Sequence, residues 1–126
     1  MRVALRNKLV AKIPEVGGRV YEPFMAGPTT AKPYIVLKAG GENDSKMRYG
    51  FDVPFEVWMY VDRTSQVVLD ELGDKIINVL NRKETKTATG YVFSLAYDGC
   101  SEDFYDEDWK ALTRRLDFST VRVRGG

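Results

Sequence analysis

The sequence predicts an α+β fold in one domain over residues 1–126. Residues 53–61 alternate apolar and polar side chains, which is the period of a β-strand with one buried face. Residues 65–80 then repeat apolar side chains at spacings of three and four, which is the period of an amphipathic helix. A chain of 126 residues is long enough for one domain with a hydrophobic core and too short for two domains that each have one. The strand-helix unit over residues 53–82 is therefore the predicted organising element.

The first half of the chain contains a shorter helix and two further strands. Residues 2–13 read as an amphipathic helix that ends at Pro14 because proline cannot continue it. The four cations of this helix predict a solvated basic face. Residues 19–21 form a short predicted strand, and residues 34–38 form another that we expect beside the 53–61 strand. The apolar positions of the helix are Val3, Leu5, Leu9, Val10 and Ile13.

The central strand separates two kinds of side chain. Its core face carries aliphatic residues and Phe55, so the helix over residues 65–80 is expected to pack there. Trp58 and Tyr60 point to the other face, where burial under a helix is commoner than stacking on a ligand. The core face comprises Val53, Phe55, Val57, Met59 and Val61, and the helical stripe comprises Val68, Leu69, Leu72, Ile76, Val79 and Leu80.

The connection over residues 39–50 has two readings from composition alone. Its glycines and small polar residues are typical of a solvated turn. Its length exceeds that of a simple hairpin loop, and Met47, Arg48 and Tyr49 are residues of types found at interfaces. A contact site and a spare loop both remain open.

The second half of the chain predicts two more strands. After a polar connection over residues 81–89, residues 91–97 alternate again, with Tyr91, Phe93, Leu95 and Tyr97 on one face. Residues 109–124 read as a long strand whose apolar parity changes before Val121. A bulge near residues 119–120 would restore a common face.

Charge is segregated in this second half. Residues 98–108 hold six acids in eleven residues, whereas the last strand is basic, although the whole chain has a formal charge of only +1. We expect the acids to meet a basic surface of a neighbouring subunit or to line a channel. The acidic candidates are Glu102, Asp103, Asp106, Glu107 and Asp108, and the basic ones are Arg114, Arg115, Arg122 and Arg124.

The same residues argue against common enzyme chemistry. The acids do not follow the spacing of a calcium-binding EF-hand loop or of a general acid-base pair. The chain has no histidine, and its one cysteine, Cys100, lacks a partner for a disulfide or an imidazole to activate it. The sequence therefore predicts no catalytic residue, no metal and no cofactor. It also predicts neither a signal peptide nor a membrane span.

The order of these elements resembles the tail-completion and tail-terminator proteins of long-tailed, siphovirus-like bacteriophages and prophages. The resemblance covers nearly the whole chain and rests on order and length rather than on an invariant motif. One departure is the lengthened acidic segment. The matching segments are Arg19-Val20-Tyr21, Pro33-Tyr34-Ile35-Val36-Leu37, Val57-Trp58-Met59-Tyr60 with the helix that follows, Gly90-Tyr91-Val92, and Thr113-Arg114-Arg115-Leu116-Asp117-Phe118.

This resemblance implies a mixed, mostly antiparallel sheet with two helices packed on one face. It further implies a homohexameric ring at the head-proximal end of the tail, which terminates tail-tube growth and takes part in head-tail joining. The implied partners are other copies of the chain, the major tail-tube protein and the head-completion connector protein, with DNA only as passing cargo and no membrane. The implied location is the virion tail, assembled in the host bacterial cytoplasm.

Two alternatives from other classes stay open. The first is a small α+β domain that binds a ligand or peptide on the Trp58/Tyr60 face. The second is an enzyme that depends on a divalent cation held by the acidic segment.

Overall fold

Seven strands form one mixed sheet, and both α-helices pack on the same face of it. The computed structural model describes residues 2–21, 31–39, 54–88, 90 and 92–124. The strand order is β1-β2-β3-β7-β5-β4, with β6 also paired to β7. Only the pair β1 and β2 is parallel among these strands. The elements are α1 Arg2–Lys12, a 3₁₀ turn Pro14–Val16, β1 Val20–Tyr21, β2 Tyr34–Ala39, β3 Pro54–Val61, α2 Gln66–Leu80, β4 Glu84–Lys86, β5 Val92–Cys100, β6 Phe104–Asp106 and β7 Ala111–Arg124.

Strand β3 lies in the middle of the sheet, as predicted, and pairs with β2 on one side and β7 on the other. Phe55 lies opposite Phe118 and Val57 opposite Leu116, so apolar side chains of neighbouring strands meet on the helix-covered face. Both Phe55 and Val57 are fully buried there. The predicted core face of this strand is confirmed at these positions. Val53 lies outside the described residues.

Helix α2 packs on β3 and β7 through Leu69, Leu72 and Ile76. Gly73 lies close against the sheet, because a Cβ at this position would stand 3.3 Å from Arg114 Nη1 and 3.4 Å from the Met59 methyl group. The predicted helix is confirmed, but its predicted stripe is wrong at Val68, which is 39% exposed. Residue 68 precedes Leu69 by one position, or 100° of helix, and so points away from the sheet.

Helix α1 joins the two edges of the curled sheet. Leu5, Leu9 and Ile13 enter the core, whereas Val3 is exposed, contrary to its predicted place on the apolar face. Arg6 Nε donates a hydrogen bond to the Val20 carbonyl of β1. Lys8 Nζ donates to the Glu84 carbonyl of β4, 3.0 Å away. The basic face predicted to be merely solvated therefore holds both edge strands through two of its cations.

Strand β7 contains the predicted irregularity. Leu95 pairs with Thr120 and Ser94 pairs with Arg122, so Val121 is an extra residue in β7, one position beyond the predicted bulge. A second register shift leaves Asp98 as an extra residue in β5. The strand begins at Ala111 rather than at residue 109, since residues 107–110 form the turn that joins it to β6.

Two short strands were missed from the sequence. Strand β4 lies in the predicted polar connection and buries Thr85, and β6 lies within the acidic segment. The side chains of β4 are polar or charged, and β6 has only three residues, so neither segment showed an apolar alternation. Pairing with β5 and β7 supplies the backbone partners that local propensity does not predict.

Candidate functional site

The acidic segment, residues 98–108, completes β5 and then forms a hairpin with β7 instead of an open loop. Asp106 Oδ1 accepts a hydrogen bond from the Trp109 backbone N–H at 3.1 Å, which caps the turn. Glu107 and Asp108 are exposed in this turn, and Glu102 is exposed before β6. The fold therefore presents part of the predicted acidic set on a braced turn.

Arg114 is paired with acids of its own chain. Its Nη2 donates to Asp103 Oδ2 at 2.8 Å, and it also forms an ion pair with Asp70 of α2. Gln66 donates a further hydrogen bond to Asp103. The bond from Arg114 holds the pKa of Asp103 below its usual value, and the same bond raises the pKa of Arg114. Asp103 and Arg114 thus tie the acidic segment to the beginning of α2.

Arg115 lies on the opposite face of the sheet. Its Nε forms an ion pair with Asp117 at 2.9 Å, and its guanidinium carbon lies 5.9 Å from the ring centre of Trp58. Lys38 also contacts this ring, 4.5 Å from its centre. Arg122 and Arg124 lie opposite Ser94 and Val92 in the ladder. Met47, Arg48 and Tyr49 lie outside the described residues, so the predicted contact at 39–50 stays a prediction.

An aromatic cluster occupies the face of the sheet away from the helices. Tyr60 stacks on Tyr34 with ring centres 4.7 Å apart and on Trp109 at 5.1 Å. Its burial, together with the charge of Asp106, raises the pKa of Tyr60 to about 12. The expectation that a helix covers this face is wrong, because aromatic side chains of β2 and the β6–β7 turn cover it instead. Ligand binding on the Trp58/Tyr60 face requires accessible rings, yet Tyr60 is only 5% exposed.

A basic concavity that the sequence did not predict lies where α1, α2 and β4 meet. This lysine pocket has a volume of about 430 Å³ and is lined by Lys8, Lys12, Asn78, Val79, Lys83 and Glu84. Lys8 Nζ donates to Thr85 Oγ1 and the Glu84 carbonyl inside it. Burial and then the charges of Lys12 and Lys83 lower the pKa of Lys8. Lys8 and Lys12 are separated from Lys83 by about seventy residues, so no local sequence pattern predicts the pocket.

The described residues contain no group of three histidine, cysteine, aspartate or glutamate side chains arranged to hold a metal ion. Cys100 is exposed at the end of β5, and a hydrogen bond with this thiol contributes to a raised pKa of Tyr97, about 12. No helix in the described part of the chain is long and apolar enough to cross a membrane.

One solved structure shares this fold over almost its full length. It is a chain of the "Virion of native gene transfer agent (GTA) particle", which aligns with a TM-score of 0.69 at 17% sequence identity. The alignment covers 99% of this chain and 95% of that one. No protein-family model matches the sequence, and no curated protein matches it either. The similarity therefore establishes the common fold.

Proposed function

We propose that this chain is a structural protein of a phage-like virion, and more narrowly a tail terminator. The observation that carries the proposal is the nearly full-length similarity of fold to a chain of a gene transfer agent virion. An alignment that covers almost all of both chains supports a common role more strongly than one shared motif would. The order of elements adds support, because it resembles tail-completion proteins along the same length.

In this role six copies form a ring at the head-proximal end of the tail. The ring stops growth of the tail tube and offers a surface to the head-completion connector. Its partners are the major tail-tube protein, the connector and its own copies, while DNA passes through the centre. The chain acts in the virion tail after assembly in the bacterial cytoplasm, and it performs no catalysis.

The distribution of charge supports a ring. Each contact in a closed ring joins two different surfaces of the same protein, so a subunit needs two complementary faces. The acidic segment and the lysine pocket supply opposite charges on a chain whose formal net charge is +1.

The first test is the mass of the purified protein. A hexamer of 14.3 kDa subunits has a mass of about 86 kDa. Size-exclusion chromatography with light scattering can distinguish this hexamer from a monomer. Electron microscopy should show rings with a central opening. Purified tail-tube protein of the same virion should form shorter tubes when this chain is added during polymerisation. Unchanged tube lengths, with a chain that never forms rings, would contradict the proposal.

A further inference from the structure

The two charged surfaces lie at opposite ends of α2. Gln66, the first residue of this helix, contacts Asp103, and the three-residue strand β6 leads from Asp103 to the exposed acids Glu107 and Asp108. Asn78 and Val79, in its last turn, line the lysine pocket. A helix of fifteen residues is about 22 Å long at 1.5 Å per residue, so these ends are well separated. An acidic end and a basic end on one subunit suit a head-to-tail contact between identical copies.

The lysine pocket carries unbalanced positive charge. Within the described part of the chain, no ion pair is seen for Lys8, Lys12 or Lys83. Lys8 uses two of its three N–H groups on neutral oxygens of β4. Three lysines and Glu84 give the lining a formal charge of +2. Burial lowers the pKa of Lys8, and the nearby charges of Lys12 and Lys83 lower it further. A carboxylate in the pocket would offset the repulsion between these lysines.

The complementary group is the acidic tip, which we define as Glu107 and Asp108 in the β6–β7 turn. Both side chains are exposed and opposite in charge to the lysine pocket, and the exposed Lys110 in the same turn offsets one of their two charges. Two contacts fix the conformation of the turn: Asp106 accepts a hydrogen bond from the Trp109 backbone N–H, and the Trp109 ring stacks on Tyr60. A braced turn loses little conformational freedom when it binds.

We infer that the acidic tip of one copy docks into the lysine pocket of the next copy, and that this contact repeats around the ring. The inference rests on the proposed function, to which it adds the subunit interface. It also replaces Arg114 and Arg115 as the basic partners of that interface, because their own chain already supplies them with Asp103 and Asp117. A second copy fits better than DNA because its acidic tip is opposite in charge to the pocket and Glu84 interrupts a cationic track for phosphates.

Charge reversal tests the contact. One variant carries Glu107→Lys and Asp108→Lys, and the other carries Lys12→Glu and Lys83→Glu. Each variant alone places like charges together and should weaken self-association at least about tenfold. Mixing the two should restore assembly in rings of alternating subunits, because each altered surface then meets its opposite. The readouts are mass by light scattering and circular dichroism, which checks that each variant is folded.

A matched control makes the same change of charge elsewhere. Glu71→Lys with Asp74→Lys alters two exposed acids of α2 and should leave the mass unchanged. Loss of assembly by this control, or failure of the mixture to recover, would overturn the inference. An oligomer that forms equally well from both reversed variants would overturn it and leave the proposed ring intact. A wild-type protein that stays monomeric at millimolar concentration and beside its tail tube would overturn both.

DNA is the competing occupant of the pocket. Fluorescence anisotropy with a short labelled duplex should give equal binding for the wild type and the Lys12→Glu, Lys83→Glu variant. Loss of duplex binding in that variant, with an unchanged oligomer, would assign the pocket to nucleic acid and overturn the inference.

Discussion

The two faces of the sheet are built in different ways. The helix-covered face buries aliphatic side chains and phenylalanines in one continuous core with α1 and α2. The opposite face has a small cluster around Tyr34, Tyr60 and Trp109, with no helix residue in it. The first face derives its stability from apolar area removed from water. The second derives it from stacked rings whose hydroxyl and indole N–H groups also need hydrogen-bond partners. The comparison predicts that equal truncations cost more on the helix-covered face.

The largest effect is expected for Phe55→Ala. Phe55 is 1% exposed in the middle of the large core, so its loss should lower the free energy of unfolding by about 3–5 kcal/mol through lost burial and a cavity. Urea denaturation measures this change. Glu56→Ala, at the next residue on the other face, is the control and should cost only about 1 kcal/mol, because it removes the hydrogen bond that Glu56 Oε1 accepts from Trp58 Nε1. A larger loss for Glu56→Ala would reverse the assignment of the two faces.

Trp109→Ala should have the next largest effect. The ring is only partly buried but stacks on Tyr60 at 5.1 Å, so we expect a loss of about 2 kcal/mol. The same substitution exposes Tyr60, whose pKa of about 12 should fall toward the ordinary value near 10. Ultraviolet titration of the tyrosines follows this shift. A Tyr60 pKa that did not move would mean that Trp109 is not what shields this ring.

Tyr34→Phe should act in the other direction. The Tyr34 side chain is fully buried, and its hydroxyl has no hydrogen-bond partner among the described residues. Removing a buried unpaired hydroxyl should raise the free energy of unfolding by about 1 kcal/mol. Thermal denaturation of both proteins at one pH checks the sign. Destabilisation by more than about 1 kcal/mol would show that the hydroxyl is hydrogen-bonded after all.

The smallest effect is expected for Asp103→Asn, which removes the ion pair between Asp103 and Arg114 on the helix-covered face. The pKa of Asp103 is depressed in the folded protein, so its ion pair stabilises the fold above the unfolded pKa near 4 and loses that contribution as pH falls through the folded value. Because the pair is partly exposed, the loss at neutral pH should be about 1 kcal/mol or less. Wild type and variant should converge below about pH 3. A constant difference across this range would exclude ionisation of Asp103 as the cause.

The sequence by itself determined the central strand, the long helix and the bulge of the last strand. Each depends on a periodicity that neighbouring residues carry, and a period of two or of 3.6 assigns faces without knowledge of the partner. Phe55 and Val57 were therefore placed correctly, as were Leu69 and Ile76. Val3 and Val68 were not, since an apolar type alone does not say whether a position at the border of a stripe is covered.

The tertiary structure decided what comes from distant parts of the chain. Arg114 meets Asp70 across 44 residues, and Lys8 meets β4 across 76, so no local spacing could have paired them. Strands β4 and β6 exist because β5 and β7 offer them backbone partners, although their side chains have little apolar alternation. The sequence predicted that charge was segregated. Which charges are paired inside the subunit depends on side-chain distances that only folding establishes.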